Sequence, residues 1–204
     1  MVQVNKEVYE FEKYNDLARF ASYFYQLKSI LVNNPRSVLE IGTGSKFVGE
    51  YLRSLPNIDY TSCDFAEDLK PDVVADIRDL PFKDSEFDVV CAFEILEHLP
   101  FIDFDKSLSE LSRVSKGRVV ISLPHFGPPI KLLIKLPFIQ EIKLSFKIPF
   151  MKKHVFNGEH YWEIGKMGYS VDTIKSKLSK YFIVEDDFVP FENQYHHFFI
   201  LNKK

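Results

Sequence analysis

The chain has 204 residues, 46% of them hydrophobic and 27% charged, with a formal net charge of −3. That length buries about 70% of the unfolded surface in a single core without a disulfide or metal staple, and the near-neutral balance argues against a general nucleic-acid binder while leaving room for a local basic face. Cys63 and Cys91 both sit in apolar runs and fit buried thiols in a reducing compartment.

Residues Met1 to Asp16 mix charges with aromatics and lack the apolar core of a signal peptide. The most apolar stretch, Ile130 to Ile139, is interrupted by Lys131, Lys135 and Pro137, so no segment is expected to span a bilayer and a cytoplasmic location is expected. Leu17, Phe20, Ala21, Phe24, Leu27, Ile30 and Leu31 recur at helical spacing, which predicts a helix over about 15–32 that Asn33-Asn34-Pro35 stops. Ser37 to Ile41 reads as a strand, Gly42-Thr43-Gly44-Ser45 as a tight turn, and Phe47 to Leu55 as a helix ended by Pro56. Strands are expected at Ile58 to Cys63 and Asp72 to Ala75, each closed by an aspartate, Asp64 and Asp76. Phe87 to Phe93 is a continuous apolar run, as for a strand covered on both faces. A helix over Asp105 to Ser115 and a fifth strand over Arg118 to Leu123 follow. Beyond Gly127-Pro128-Pro129 the alternation lapses into an insertion, then resumes with a helix at Val171 to Lys180 and strands at Phe182 to Val189 and Tyr195 to Leu201. With no helix between them, those last two strands are expected to pair antiparallel. The order predicts one α/β domain over 1–204, a doubly wound, seven-stranded, mostly parallel sheet with an antiparallel last strand, and ligands at the carboxyl ends of the strands.

The glycine turn between a strand and a helix puts bare backbone where a ligand approaches closely. Asp64 ends the next strand about 20 residues on, where a carboxylate can accept from ribose hydroxyls. These residues resemble a class I S-adenosylmethionine-dependent methyltransferase of the small-molecule branch, over roughly Arg36 to Leu123. Glu40-Ile41-Gly42-Thr43-Gly44 is similar to the family's first motif; Leu80-Pro81-Phe82, Phe87-Asp88-Val89-Val90 and Leu96-Glu97-His98-Leu99 resemble its middle signature. The resemblance implies S-adenosyl-L-methionine as cofactor, with Gly42, Thr43 and Gly44 beneath it and Glu40 near its amino-acid end. It implies Asp64, with Phe65 beside it, at the ribose, Asp76 and Ile77 at the adenine, and Phe93 and Glu94 near the transferable methyl. Lys46 stands where the family usually has a third glycine, so the loop turns differently or Lys46 takes an uncommon backbone conformation. A dinucleotide-dependent oxidoreductase is the competing small-ligand reading, and it gives Asp76 no necessary role.

In-line displacement at a sulfonium methyl needs positioning and exclusion of water, and a hydroxyl acceptor also needs a base. His125, after the fifth strand, and Glu94 are the catalytic candidates. Glu97 and His98 read as loop-fixing groups. His160 and Trp162, in Glu159-His160-Tyr161-Trp162-Glu163, are candidate acceptor-binding residues, by hydrogen bonding and stacking. Glu159, His160 and Glu163 have spacing that could gather a metal, but no cysteine or second close histidine supports it, and none is expected. His196 and His197 are adjacent on a strand and point to opposite faces.

The insertion, about 126–160, is lid-like. Within 128–153 it holds Lys131, Lys135, Lys143, Lys147, Lys152 and Lys153 against Glu141 among an apolar set running from Ile130 to Met151. A pocket lid, a peripheral membrane contact with an anionic surface, and a homodimer contact are its three readings. A small or lipid-like, amphipathic acceptor follows, methylated at oxygen. The nucleobase amino-methyltransferase motif is missing after the fourth strand, where Phe93-Glu94-Ile95-Leu96 stands, which ranks nucleic acid lower. The alternatives are a catalytically inactive methyltransferase-like binding or regulatory protein and a nucleic-acid methyltransferase.

Overall fold

The structure, a computed structural model, describes residues 14–148 and 152–204. Pro149, Phe150 and Met151 of the insertion, and the N-terminal stretch through residue 13, lie outside the described residues. Helix α1 (Leu17–Leu31) starts where the Asp16 carboxylate accepts from the Arg19 amide, 2.7 Å, and ends where Asn33 and Asn34 take positive φ. It turns Ser22, Tyr23, Gln26, Ser29 and Ile30 inward, while Leu17, Phe20 and Phe24 are exposed. Polar anchors set this rotation: Asn193 donates to the Ser22 hydroxyl, 2.9 Å, and Arg118 to the Ser29 carbonyl, 3.1 Å.

Strand β1 (Ser37–Ile41) leads through the glycine turn into α2 (Phe47–Arg53), and β2 (Asp59–Asp64), β3 (Val73–Val74) and β4 (Phe87–Phe93) follow. Helix α3 (Phe104–Val114) runs into β5 (Ser115–Pro124). The insertion folds as an antiparallel hairpin of β6 (Pro129–Ile134) and β7 (Ile142–Lys147), in register Pro129 opposite Lys147 through Ile134 opposite Ile142. Helix α4 (Val171–Leu178), β8 (Phe182–Phe188) and β9 (His196–Lys203) complete the chain. The sheet has seven strands in the order β3-β2-β1-β4-β5-β9-β8, parallel from β3 to β5, with β9 antiparallel to both neighbours.

Side chains alternate across this sheet, so each strand feeds two cores. Val38, Val89, Cys91, Phe93, Val120 and Phe198 pack with Tyr23, Ile30, Val48 and Leu52 of α1 and α2. Leu39, Ile41, Val90, Ala92, Ile121 and Phe199 pack with Leu108 and Leu111 of α3 and Ile174 and Leu178 of α4. Cys63 and Cys91 are buried free thiols, one in each core. Among the described residues no helix is long and apolar enough to cross a membrane.

Candidate active site

The turn after β1 owes its shape to two residues. Gly42 has φ +82°, and a Cβ there would lie 2.0 Å from the Ile95 side chain, so only glycine fits. Lys46, where the third glycine was missed, takes φ +64° and ψ +4° at the start of α2: the fold keeps the left-handed turn and accepts a side chain in it. Asp64 braces the same turn from the end of β2. Its Oδ2 accepts from the Thr43 amide, 2.8 Å, and its Oδ1 from the Ala66 amide, 3.0 Å.

Glu40, Gly42, Thr43, Gly44, Phe93 and Glu94 line one hollow, closed by Arg19 and Tyr23 of α1. Glu40 is buried and accepts from the Tyr60 hydroxyl; burial pushes its carboxyl up to about 7. Glu94 follows β4 in the left-handed region, φ +55°, with its amide bonded to the Ser122 carbonyl, 3.0 Å. Its Oε2 lies 3.8 Å from His196 Nε2, its Oε1 is buried without a hydrogen-bond partner among the described residues, and burial raises its carboxyl to about 7. Arg19 Nη1 in turn sits 3.2 Å from His196 Nε2. Sequence reading missed Arg19, Tyr23 and His196, which reach the hollow from the first helix and the last strand; no local motif marks them.

The other candidates do not line this hollow. Phe65 is half-buried beside Asp64. Asp76 is held by Arg78 through Nε, 2.9 Å, and Nη2, 2.6 Å, which keeps its carboxyl below the ordinary range; its side chain remains 34% exposed. Ile77 is buried in the core. His125 lines a different hollow of about 830 Å³ beneath the hairpin, together with Phe126, Lys147, Gly165 and His197. Its Nδ1 is 3.0 Å from His197 Nδ1, and His197 Nε2 is 3.3 Å from Asp187 Oδ1; burial, then Lys147 and His197, lower the His125 imidazole to about 3. The structure therefore does not bring His125 and Glu94 into one hollow. His196 and His197 do face opposite ways, toward Glu94 and toward His125.

Trp162, expected as a stacking wall, is fully buried: its Nε1 donates to the Leu99 carbonyl, 3.1 Å, and Phe101 and Phe104 meet its ring edge-on. Its ring has no free face, so it is a core residue. His160 stays at the sheet's carboxyl edge, with Nδ1 3.1 Å from Glu163 Oε1 and 3.5 Å from the Tyr195 hydroxyl.

The hairpin is tethered by lysines of the insertion. Lys143 pairs with Glu192, 2.7 Å, Lys131 lies over the Phe191 ring, and Lys147 donates to the His125 carbonyl. Its apolar side chains are exposed, Leu132, Leu133, Leu144 and Phe146 by at least half and Phe138 at the tip fully.

Residues 39–121 match the family model described as a methyltransferase domain. These residues are similar to a class I S-adenosylmethionine-dependent methyltransferase domain. No curated protein matches the sequence. Among solved structures, a protein of Pyrococcus horikoshii OT3 is similar at TM-score 0.61 and 16% identity, over 99% of this chain and 100% of that one. The 1,6-didemethyltoxoflavin-N1-methyltransferase of Burkholderia thailandensis, with 1,6-didemethyltoxoflavin and S-adenosylhomocysteine bound, is similar at TM-score 0.62 and 14% identity, over 90% and 79% of the two chains. The N-methyltransferase NodS of Bradyrhizobium japonicum, in complex with S-adenosylhomocysteine, follows at 0.60 and 10%, over 95% and 91%. At these identities the likeness is one of fold.

Proposed function

We propose that this chain transfers the methyl group of S-adenosylmethionine to an oxygen of a small, amphipathic acceptor, with Glu94 receiving the acceptor's proton. Glu94 is the observation that carries the reading. A buried carboxylate on strained left-handed backbone, with one oxygen unpartnered and its pKa brought near neutrality, suits a group that takes a proton from a ligand.

The residues present fit the cofactor. Gly42 lets the Ile95 side chain pack where a Cβ would lie, which fixes the turn that lines the hollow. Glu40 and Glu94 supply buried carboxyls at two sides of the same hollow. Asp64 braces the turn with both oxygens, Oδ2 accepting from the Thr43 amide and hydroxyl and Oδ1 from the Ala66 amide, and Oδ1 keeps a lone pair for a ribose hydroxyl. We assign Glu40 and residues 42–44 to the amino-acid end, Asp64 and Phe65 to the ribose, Asp76 and Ile77 to the adenine edge, and Phe93 and Glu94 to the methyl end. When bound, the cofactor supplies a methyl group on a positively charged sulfur, already activated for displacement. The chain's own work is then to orient the acceptor, exclude water and hold the departing proton at Glu94.

The hairpin, tethered by Lys131, Lys143 and Lys147 above the separate 830 Å³ hollow of His125, supports a lid over the apolar part of an acceptor whose reacting oxygen lies at Glu94. Its exposed outer side chains support a peripheral contact with a lipid surface from which such an acceptor is drawn. The test is transfer of labelled methyl into fractionated extracts. Label is expected in a small, hydroxyl-bearing compound, with Glu94→Gln slowing turnover about 10²–10⁴-fold; label confined to nucleic acid would overturn the reading.

A further inference from the structure

Glu97 has no place in the chemistry above, yet it is the most anomalous group in the molecule. Its carboxylate is entirely buried, and neither oxygen has a hydrogen-bond partner among the described residues. A buried carboxylate in that state is costly unless something cationic meets it. Two imidazoles approach it: one ligand atom from each of Glu97, His98 and His160 lies within 4.8 Å of the others, and His98 Nε2 is 4.0 Å from Glu97 Oε1.

Both rings are already held by their other nitrogen. His98 Nδ1 is 3.1 Å from the Glu159 carbonyl, and His160 Nδ1 is 3.1 Å from Glu163 Oε1. An Nδ1–H donated to each acceptor fixes the tautomer that leaves Nε2 as the ligating lone pair, the outer-shell arrangement of metal-ligating histidines, with the Glu94 backbone also reaching the His98 ring. The two rings meet edge to face, 5.0 Å between centroids. The elements that carry them are stitched together, because the Tyr161 amide donates to the Glu97 carbonyl, 2.8 Å, and Trp162 Nε1 to the Leu99 carbonyl, 3.1 Å. Small side-chain rotations close the remaining gap to the separation of about 3.4 Å that ligands adopt around a zinc-sized ion.

We propose that Glu97, His98 and His160 bind one divalent cation of the zinc type. Two imidazoles and one carboxylate suit zinc and its first-row neighbours; magnesium and calcium call for all-oxygen shells. Three protein ligands leave a coordination position for water or an acceptor oxygen, and the His98 and His160 side chains, 12% and 13% exposed, leave a route to solvent. The ion would also staple the return of the insertion to the edge of β4. The proposal stands apart from the methyl-transfer reading, since it rests on a different set of side chains.

The full-length chain, stripped with a chelator and dialysed, is titrated with Co²⁺ while its visible ligand-field absorption is followed. Saturation at one equivalent, reversal of the band by Zn²⁺, and at least tenfold weaker binding in both Glu97→Gln and His160→Ala are expected. Glu97→Gln is near-isosteric, and circular dichroism of each variant checks folding; if one fails to fold, the other decides. Absence of a saturable band in the wild-type chain, or undiminished Co²⁺ affinity in a folded variant, would overturn the site.

Discussion

The Tyr60 hydroxyl on β2 donates to the Glu40 carboxylate on β1, inside the core formed by α1 and α2 and beside the glycine turn. Burial outweighs that hydrogen bond and raises the Glu40 carboxyl from 4.5 to about 7. Between those values the folded chain holds a proton that the unfolded chain has lost, so this group's contribution to stability is full below pH 4.5 and declines as pH rises through 7. Linkage gives a slope of about 1.4 kcal/mol per pH unit and a total of about 3 kcal/mol. Urea unfolding of wild type and Glu40→Gln across pH 5–8 measures it: the difference between them is expected to shift with pH in the stated direction, and a constant difference contradicts the assignment.

Gly49 of α2 lies directly over the same pair. A Cβ there would come 2.4 Å from the Tyr60 hydroxyl and 2.8 Å from its ring carbon Cζ. Gly49→Ala is expected to destabilise by about 1–3 kcal/mol through overpacking, despite the better helix propensity of alanine. In a Tyr60→Phe background the cost of Gly49→Ala is expected to shrink, because the nearest atom is gone; equal costs in both backgrounds would remove the steric explanation.

Lys46 supplies a backbone test. At φ +64° a β-branched residue is strained far more than lysine, and glycine is not strained at all. Lys46→Val is expected to cost about 1–3 kcal/mol. Lys46→Gly is expected to fall within about 1 kcal/mol of the parent, since relief of strain is offset by the freer unfolded chain. Chemical denaturation ranks the three, and a neutral Lys46→Val would show that the turn has rearranged.

The strands were legible because their residues are apolar on both faces and end in turn residues or aspartates: Phe87 to Phe93 and the turn from Gly42 read directly from the chain. The antiparallel pairing of β8 and β9 followed from the missing helix between them. The apolar spacing announced α1 itself, while the face it buries is set by Asn193 and Arg118, which anchor it on Ser22 and Ser29. Trp162 misled: a ring flanked by Glu163, Tyr161 and His160 reads as surface, but its one polar atom finds the Leu99 carbonyl and the rest enters the core. The insertion's pattern is apolar on both strand faces, so its spacing could not announce a hairpin. The polar neighbourhood of Glu94 joins the first helix, the β4 turn and the last strand, contacts too distant in sequence for any motif to record.

Removing the hairpin tests whether the proposed lid is separate from the proposed cofactor site. Replacing residues 129–147 with a short glycine-serine linker is expected to leave S-adenosylhomocysteine affinity within about twofold, a difference near 0.4 kcal/mol, while abolishing acceptor selectivity and any association with anionic vesicles in a sedimentation assay. Loss of S-adenosylhomocysteine binding in a still-folded variant would make the hairpin part of the cofactor site.

The central claim is that the hollow at the glycine turn holds S-adenosylmethionine with Asp64 at its ribose. Calorimetric titration of S-adenosylhomocysteine into wild type and Asp64→Ala, each checked for native folding, tests it most directly. We predict one site per wild-type chain and a loss of about 1–3 kcal/mol in the variant, the worth of a charge-assisted hydrogen bond. No binding to the wild-type chain, or equal affinity in the two proteins, would contradict it.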